Sequence, residues 1–133
     1  MYQKNLPLLT VGLSFYNNEK TLASAIKSVL LQSYSNFEFI LIDDGSTDNS
    51  YEVAQKFAVQ DDRIKLIRDN VNRGLIFRLN QIIDMAAGKY MARMDSDDMM
   101  MPEKLERQME IMIKNQEIDI VDTAAYTINE KDE

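Results

Sequence analysis

The sequence contains no cysteine and no histidine, and these two absences exclude several kinds of chemistry. Without cysteine the chain can form neither disulfide bonds nor a thiolate nucleophile, and without histidine it lacks the commonest transition-metal ligand and general base. Any bound metal must therefore be held by oxygen atoms, which are the ligands that Mg²⁺, Mn²⁺ and Ca²⁺ prefer.

Basic residues are also fewer than acidic ones. The chain has 15 lysines and arginines against 22 aspartates and glutamates, which gives a formal net charge of −7 at pH 7. A nucleic-acid-binding domain would carry a basic face, so this class of protein is not expected. No apolar run reaches the length of a membrane span, and the first residues lack a charged leader with an apolar centre. We therefore expect a cytoplasmic protein.

What the sequence does contain is typical of one folded domain. Its 133 residues are 45% hydrophobic and 28% charged, which is enough for a single well-buried core. Short apolar runs alternate with segments in which apolar residues recur at helical spacing. The strands are predicted at residues 8–15, 37–42, 64–67, 89–94 and 118–121, and the helices at residues 19–32, 50–59, 75–87 and 102–115.

Strands that alternate with helices predict an α/β fold with an open, doubly wound and mostly parallel sheet. In such sheets, ligands bind beyond the carboxyl ends of the strands. Three polar loops fall at this edge although they lie far apart in the sequence, at residues 14–19, 43–49 and 95–98. We therefore expect the functional site to be built from these three loops.

The first candidate motif is Asp43-Asp44-Gly45-Ser46, directly after the second predicted strand. Small and acidic residues make good turns and helix caps, so a purely structural role accounts for the motif as well as a binding role does. In dinucleotide-binding folds an acid at this position holds a ribose hydroxyl, but those folds need a glycine-rich turn after the first strand. The segment SFYNNEK at residues 14–20 has no glycine, which argues against a nicotinamide or flavin site.

The second candidate motif is the cluster Asp95, Asp97 and Asp98 after the fourth predicted strand. Such acids can complement the dipole of the following helix, although three of them exceed what capping needs. A calcium loop of the EF-hand type is rejected because Met99 and Met100 stand where a ligand and the turn glycine are required. An aspartate pair one residue apart can instead bind a divalent cation, Mn²⁺ or Mg²⁺, that also carries phosphate oxygens.

A third candidate is Arg73, in the loop DNVNRG after the third predicted strand. It is either a solvated loop cation or, in so acidic a chain, a partner for a phosphate group or a base. Gly74 beside it permits a close approach of the backbone or an unusual turn. The residues alone leave both interpretations of Arg73 open.

Four segments taken together resemble a known family, the family 2 inverting glycosyltransferases with the GT-A fold. They follow one another between residues 8 and 122 as VGLSFYNNEKTLASAIKSVLLQSY, FEFILIDDGSTDNS, NRGLIFRLNQIIDMAAGKYMARMDSDD and MPEKLERQ. The resemblance implies one domain over residues 1–133, which forms the nucleotide-sugar-binding half of a longer enzyme. It also implies that the catalytic base and most of the acceptor site lie further along the chain, so the catalytic residues are unknown.

The resemblance implies roles for five nucleotide-binding residues besides Asp95, which is expected to bind both the nucleotide and the metal. Ser14 and Tyr16 match family residues that contact the nucleotide, with Tyr16 near the base. Asp44 matches the acid that forms a hydrogen bond with the uracil, and Asp43 lies beside it. Arg73 matches an arginine that contacts the base or a phosphate group. These five residues are expected to hold the donor at the carboxyl edge of the sheet.

The resemblance also implies a metal site. Asp95 and Asp97 match the two acids of the family's DxD motif. Asp97 is expected to contact the cation directly, whereas Asp95 is expected nearer to the ribose or to the waters of the metal. The cofactor implied is a divalent cation, Mn²⁺ or Mg²⁺, that bridges the protein and a diphosphate.

The activity implied is inverting transfer of a hexosyl or N-acetylhexosaminyl group from a UDP-sugar to an acceptor hydroxyl, in polysaccharide or glycoconjugate synthesis. The expected partners are this donor and a glycan or lipid-linked acceptor, and we also expect peripheral association with the cytoplasmic face of the membrane through segments outside this chain. Two alternatives stay open: a non-catalytic nucleotide-sugar-binding module and a receiver-like signalling domain. The second is disfavoured because Tyr16-Asn17-Asn18 stands where a receiver needs its acid pair.

Overall fold

A computed structural model describes residues 6–129 and residue 131 of the chain. Strands and helices alternate along it, and among these residues no helix is long and apolar enough to cross a membrane. The strands are β1 (Leu9–Phe15), β2 (Phe37–Asp44), β3 (Ile64–Asp69) and β4 (Tyr90–Asp95). The helices are α1 (Leu22–Leu30), α2 (Ser50–Ala58), α3 (Leu75–Met85) and α4 (Lys104–Lys114).

The four strands form one parallel sheet in the order β3-β2-β1-β4. The chain runs outward from β1 through β2 to β3, and then crosses back to place β4 on the other side of β1. The strand order therefore reverses beside β1, and such a reversal opens a crevice for ligands at the carboxyl ends of the strands. This is the open, doubly wound sheet that the sequence predicts.

Helices cover both faces of the sheet, so the central strands are buried on both sides. Every residue of β2 is buried, which explains why the run FEFILI lacks the alternation of a half-exposed strand. One face packs against α1, α2 and α4, and the other against α3, where Ile82 contacts Ile40 and Ile42. Gly12 lets α3 approach closely, because a Cβ atom there would lie 2.5 Å from Ile82 Cγ2.

The predicted fifth strand at residues 118–121 does not form. Within the described part of the chain, these residues pair with no strand, and Ile120 is 85% exposed. The carbonyl oxygen of Val121 instead accepts a hydrogen bond from the side chain of Gln108 in α4 at 3.2 Å. Alternating apolar residues predict a strand, but a strand also needs a neighbour that satisfies its backbone groups. That prediction is therefore wrong.

Three strands run further towards their carboxyl ends than predicted. β2 ends at Asp44, β3 at Asp69 and β4 at Asp95, so acids that were predicted to lie in turns belong to the sheet. Asp44 stands opposite Asp69 in the register of β2 and β3. Aspartate is depleted in strands, which is why the sequence pattern places the strand ends too early. Because these acids belong to strands, their backbones are held by the sheet.

Candidate functional site

The loop that follows β1 is fastened to the loop that follows β2 through Asn17. Its side-chain oxygen accepts hydrogen bonds from the backbone N–H groups of Thr47 at 2.8 Å and Asp48 at 3.3 Å. Its own backbone N–H donates to the hydroxyl of Ser46 at 3.0 Å. Asn17 has a φ of 52°, a left-handed conformation that asparagine adopts more readily than most residues. The first two polar loops therefore form one hydrogen-bonded unit.

The neighbouring residue, Asn18, fastens the acidic loop after β4 to the same unit. Its side-chain oxygen accepts hydrogen bonds from the Ser96 hydroxyl at 2.8 Å and from the Tyr16 backbone N–H at 3.2 Å. The hydroxyl of Thr21 donates to the backbone oxygen of Ser96 at 3.1 Å. Ser96 lies between the two acids of the predicted metal site, so its position helps to place them.

Asp43 is completely buried and closes the turn after β2. Its Oδ1 atom accepts a hydrogen bond from the backbone N–H of Ser46 at 2.8 Å, across Gly45 with its φ of 82°. Its Oδ2 atom has no hydrogen-bond partner among the described residues, although Arg68 Nε lies 3.7 Å away. A buried carboxylate oxygen without a donor is destabilising. The Arg68 guanidinium offsets part of this cost, and Asp43 holds the turn beside Asp44.

Asp44 is 3% exposed and already accepts three hydrogen bonds. Its Oδ1 atom accepts from the Arg73 backbone N–H at 2.8 Å and from Arg78 Nε at 2.6 Å. Its Oδ2 atom accepts from the Gly74 backbone N–H at 3.0 Å. A carboxylate can accept about four hydrogen bonds, so Oδ2 retains capacity for one more. Asp44 is thus an acceptor whose direction is fixed by its neighbours.

The predicted residues around these two acids lie at the same edge. Ser14 is half-buried near the end of β1, opposite Ile42 of β2 and Asp95 of β4, and Tyr16 follows it with 45% of its surface exposed. The side chain of Arg73 is 47% exposed, donates from Nε to Asp69 at 3.0 Å and stacks over a phenylalanine of α3. Arg73 therefore contacts Asp44 through its backbone, while its guanidinium is directed to Asp69.

Arg78 is a site residue that the sequence pattern misses. It is 1% exposed, and its Nη2 atom donates to Asp69 Oδ2 at 2.9 Å and to the backbone oxygen of Val71 at 2.8 Å, in addition to the Nε bond to Asp44. Its Nη1 atom donates to Gln81 at 2.9 Å. One signal in the sequence could have indicated its role. Arg78 lies one turn before Ile82, so it is a charged residue on the face of α3 that packs against the sheet.

Arg78 and Arg73 lower the pKa of the Asp69 carboxyl group, and this can be tested. Hydrogen bonds from Arg78, then Arg73, and then the backbone of Val71 lower the pKa of its carboxyl group from 3.8 to about 2. Because the pKa is lower in the folded state, these contacts stabilise the fold above pH 3.8, and the stabilisation is lost as the pH falls towards 2. Carboxyl ¹³C NMR should show a titration midpoint near 2, whereas a midpoint near 3.8 would show that the contacts do not persist in solution.

The acids of the predicted metal site are more accessible. Asp95 is half-exposed and paired with Arg93 at 2.8 Å, while Asp97 and Asp98 are exposed. Among the described residues, no three acidic side chains converge as a metal site. Mg²⁺ and similar ions often use only one or two protein carboxylates and take their other oxygens from substrate phosphates and water. Asp95 and Asp97 therefore suit an ion that arrives with a diphosphate.

The two acidic groups are separated by one strand. Asp44 ends β2 and Asp95 ends β4, with β1 between them, so about 10 Å separates the two strands. An elongated ligand can span this distance along the carboxyl edge, with one end at the buried acids and the other at the exposed ones. This arrangement is typical of α/β domains that bind ligands beyond the carboxyl ends of their strands.

The class can be narrowed by sequence comparison. The sequence profile described as "Glycosyl transferase family 2" matches residues 10–133. The chain belongs to this family, and the receiver-like alternative is thereby excluded.

Curated relatives agree with this assignment. The putative glycosyltransferase EpsE of Bacillus subtilis is 41% identical over 125 residues, which are 93% of this chain and 45% of EpsE. The Escherichia coli UDP-Glc:alpha-D-GlcNAc-diphosphoundecaprenol beta-1,3-glucosyltransferase WfgD is 37% identical over 108 residues, which are 81% of this chain and 43% of WfgD. The chain thus spans less than half the length of these relatives.

Solved structures show the same fold. Residues 1–349 of Staphylococcus aureus TarS in complex with UDP superpose with a TM-score of 0.75 at 24% identity, over 81% of this chain and 32% of that one. The mannosyltransferase PcManGT of Pyrobaculum calidifontis, in complex with GDP-Man and Mn²⁺, superposes with a TM-score of 0.66 at 22% identity. The superposition covers 73% of this chain and 29% of PcManGT. The predicted GT-A fold is therefore confirmed.

Proposed function

We propose that this chain binds the donor of a longer inverting glycosyltransferase, which transfers a hexosyl or N-acetylhexosaminyl group from a UDP-sugar. The observation that carries the proposal is the pair of buried acids at the end of β2. Asp44 retains acceptor capacity, and Asp43 holds the turn beside it. Buried carboxylates with unused acceptor capacity suit a ligand that brings its own N–H or O–H donors.

The nucleoside end of the donor is assigned to these acids. The imide N–H of uracil would donate to Asp44 Oδ2, and Asp43 would hold the turn beside it. Tyr16, which is 45% exposed, offers a ring at the rim of the site, and Ser14 contributes a hydroxyl from the end of β1. Arg73 supplies an exposed positive charge for the base or a phosphate group. Each of these residues keeps the role that the family resemblance implies.

The diphosphate end is assigned to Asp95 and Asp97, which would hold Mn²⁺ or Mg²⁺ together with the phosphate oxygens. When bound, the cation would stabilise the charge that develops on the leaving diphosphate, as a Lewis acid does. Asn18 and Thr21 hold Ser96, and through it they hold the backbone that carries both acids. The Mn²⁺ in the PcManGT structure supports this part of the proposal.

The acceptor is proposed to be a glycan or lipid-linked saccharide, used in polysaccharide or glycoconjugate synthesis. The name of WfgD describes a lipid-linked diphosphate acceptor, which supports this choice. We further propose that residues 1–133 form one domain of a longer, cytoplasmic protein that associates with the inner face of the membrane through segments outside this chain. The base that removes the proton from the acceptor hydroxyl would also lie in those segments.

The proposal is tested by calorimetric titration of the 133-residue chain with UDP, GDP and dTDP, each with Mn²⁺ and with a chelator. We expect UDP to bind more tightly than GDP, and at least tenfold more tightly with Mn²⁺ than with chelator. The variant Asp62→Asn, which changes an exposed acid on the loop before β3, should behave like the parent. Absence of binding by every nucleotide would refute the proposed donor site.

A further inference from the structure

Arg78 joins the ends of two neighbouring strands and the loop that follows the second of them. From its place on α3 it contacts Asp44 at the end of β2, Asp69 at the end of β3 and the backbone oxygen of Val71 in the following loop. Asp44 in turn accepts hydrogen bonds from the backbone of Arg73 and Gly74 in that same loop. The pair formed by Arg78 and Asp44 therefore fixes the loop at residues 70–74 at three points.

We propose that Arg78 is a positioning residue for nucleobase recognition, because it orients Asp44 to select bases that present an N–H donor. The inference rests on the proposed function, since it assumes that a nucleotide occupies this edge. Arg78 Nε and the Arg73 backbone both donate to Oδ1, whereas Oδ2 accepts, from the described part of the chain, a single hydrogen bond from the Gly74 backbone. The remaining acceptor capacity is thus concentrated on one oxygen atom with a fixed direction.

Packing alone does not explain an arginine at this position. Arg78 is 1% exposed and lies one turn from Ile82, so an apolar residue would also suit this face of α3. Replacing a buried ion pair with apolar residues is often neutral or stabilising, so the pair is weak support for a purely structural role. What an apolar residue cannot do is donate a hydrogen bond to Asp44 and hold its carboxylate in one orientation.

The orientation of Asp44 has a consequence for specificity. Uracil presents an N–H at ring position 3, whereas cytosine presents a bare nitrogen acceptor there. A fixed carboxylate would accept a hydrogen bond from the uracil N–H and would repel the ring nitrogen of cytosine. Buried polar groups that a wrong ligand leaves unpaired give strong discrimination between ligands. If Arg78 is removed, Oδ1 of Asp44 loses one of its two donors and the carboxylate can rotate, so its unused acceptor capacity no longer has a fixed direction. The ratio of the two affinities should therefore fall.

The experiment compares UDP and CDP binding by calorimetry, in the presence of Mn²⁺, for the parent chain and for Arg78→Met and Arg78→Lys. Met removes the charge with little change in length, and Lys retains it. We expect the parent to prefer UDP at least tenfold, Arg78→Met to prefer it less than threefold, and Arg78→Lys to fall between them. The matched control is Arg107→Met, which changes an arginine that is 74% exposed on α4 and should keep the parent ratio.

The ratio separates positioning from support of the fold, because a loss of folded protein lowers both affinities equally. Asp69→Asn provides a second test if Arg78→Met does not fold, since Asp69 is 28% exposed and its replacement weakens only one contact of Arg78. We expect this variant to lower the preference for UDP about threefold. If folded Arg78→Met keeps the parent ratio of UDP affinity to CDP affinity, this inference is wrong and the proposed function is unaffected. If Arg78→Met does not fold, an unchanged ratio in Asp69→Asn overturns the inference in the same way. Failure of the parent to bind either nucleotide overturns the proposed function and the inference with it.

Discussion

Replacing Asp44 with alanine is expected to lower the free energy of unfolding by about 3–5 kcal/mol, a large share of the stability of a domain of this size. Asp44 is 3% exposed, and its carboxylate accepts the hydrogen bonds of Arg78, Arg73 and Gly74. Its removal leaves a buried guanidinium with only part of its compensating charge, and it leaves two backbone N–H groups without this acceptor. Urea unfolding of the parent and the variant measures the difference.

The control for this experiment is Asp62→Ala, because Asp62 is an exposed acid and its loss changes the net charge equally. An exposed substitution of this kind normally changes stability by less than about 0.5 kcal/mol. If Asp44→Ala is as mild as Asp62→Ala, the network around Arg78 does not exist in solution.

In Asp44→Asn, which keeps the shape of the side chain, UDP binding should weaken by about 1.5–3 kcal/mol through loss of a charge-assisted bond.

Replacing Asp97 with alanine is expected to remove the metal-dependent part of nucleotide binding. Asp97 is exposed, so the substitution should change the free energy of unfolding by less than about 0.5 kcal/mol. In the presence of Mn²⁺, UDP affinity should fall at least tenfold, to the value that the parent shows with a chelator. The cause is the loss of one of the two carboxylates assigned to the cation. Calorimetry with Mn²⁺ and with chelator measures the change.

Asp119→Ala serves as the matched control, because Asp119 is also an exposed acid but lies outside the three polar loops. It should retain the parent response to Mn²⁺. If Asp97→Ala also retains this response, Asp97 is not a metal ligand. If both variants lose it, the effect comes from net charge rather than from a specific site.

The order of the elements could be predicted from the sequence because local patterns determine it. The run FEFILI is apolar except for Glu38, which indicates a strand buried on both faces, and helical spacing of apolar residues around Leu79 and Ile82 indicates α3. The resemblance to glycosyltransferases depended on the same segments. The carboxyl ends of the strands were placed too early because propensity disfavours aspartate in strands, although Asp44 and Asp69 pair in the sheet.

The contacts within the site could not be predicted, because they join residues that are distant in the sequence. Arg78 lies 34 residues from Asp44, and no local pattern indicates which carboxylate will neutralise it. Asn18 and Ser96 are 78 residues apart, yet one hydrogen bond between them ties two loops together. The strand predicted at residues 118–121 failed for a related reason, since only the fold shows whether a neighbouring strand is present.

The central claim is that a nucleotide lies along the carboxyl edge of the sheet, with its base near Asp44 and its metal near Asp97. NMR of this 15.4 kDa chain tests the claim directly, because UDP with Mg²⁺ shifts nearby amide signals and Mn²⁺ broadens the signals closest to it. We predict shifts at residues 14–18, 43–47 and 70–74, and broadening centred on residues 95–98. Shifts and broadening at the opposite edge, around residues 34–37 and 87–90, would contradict the account.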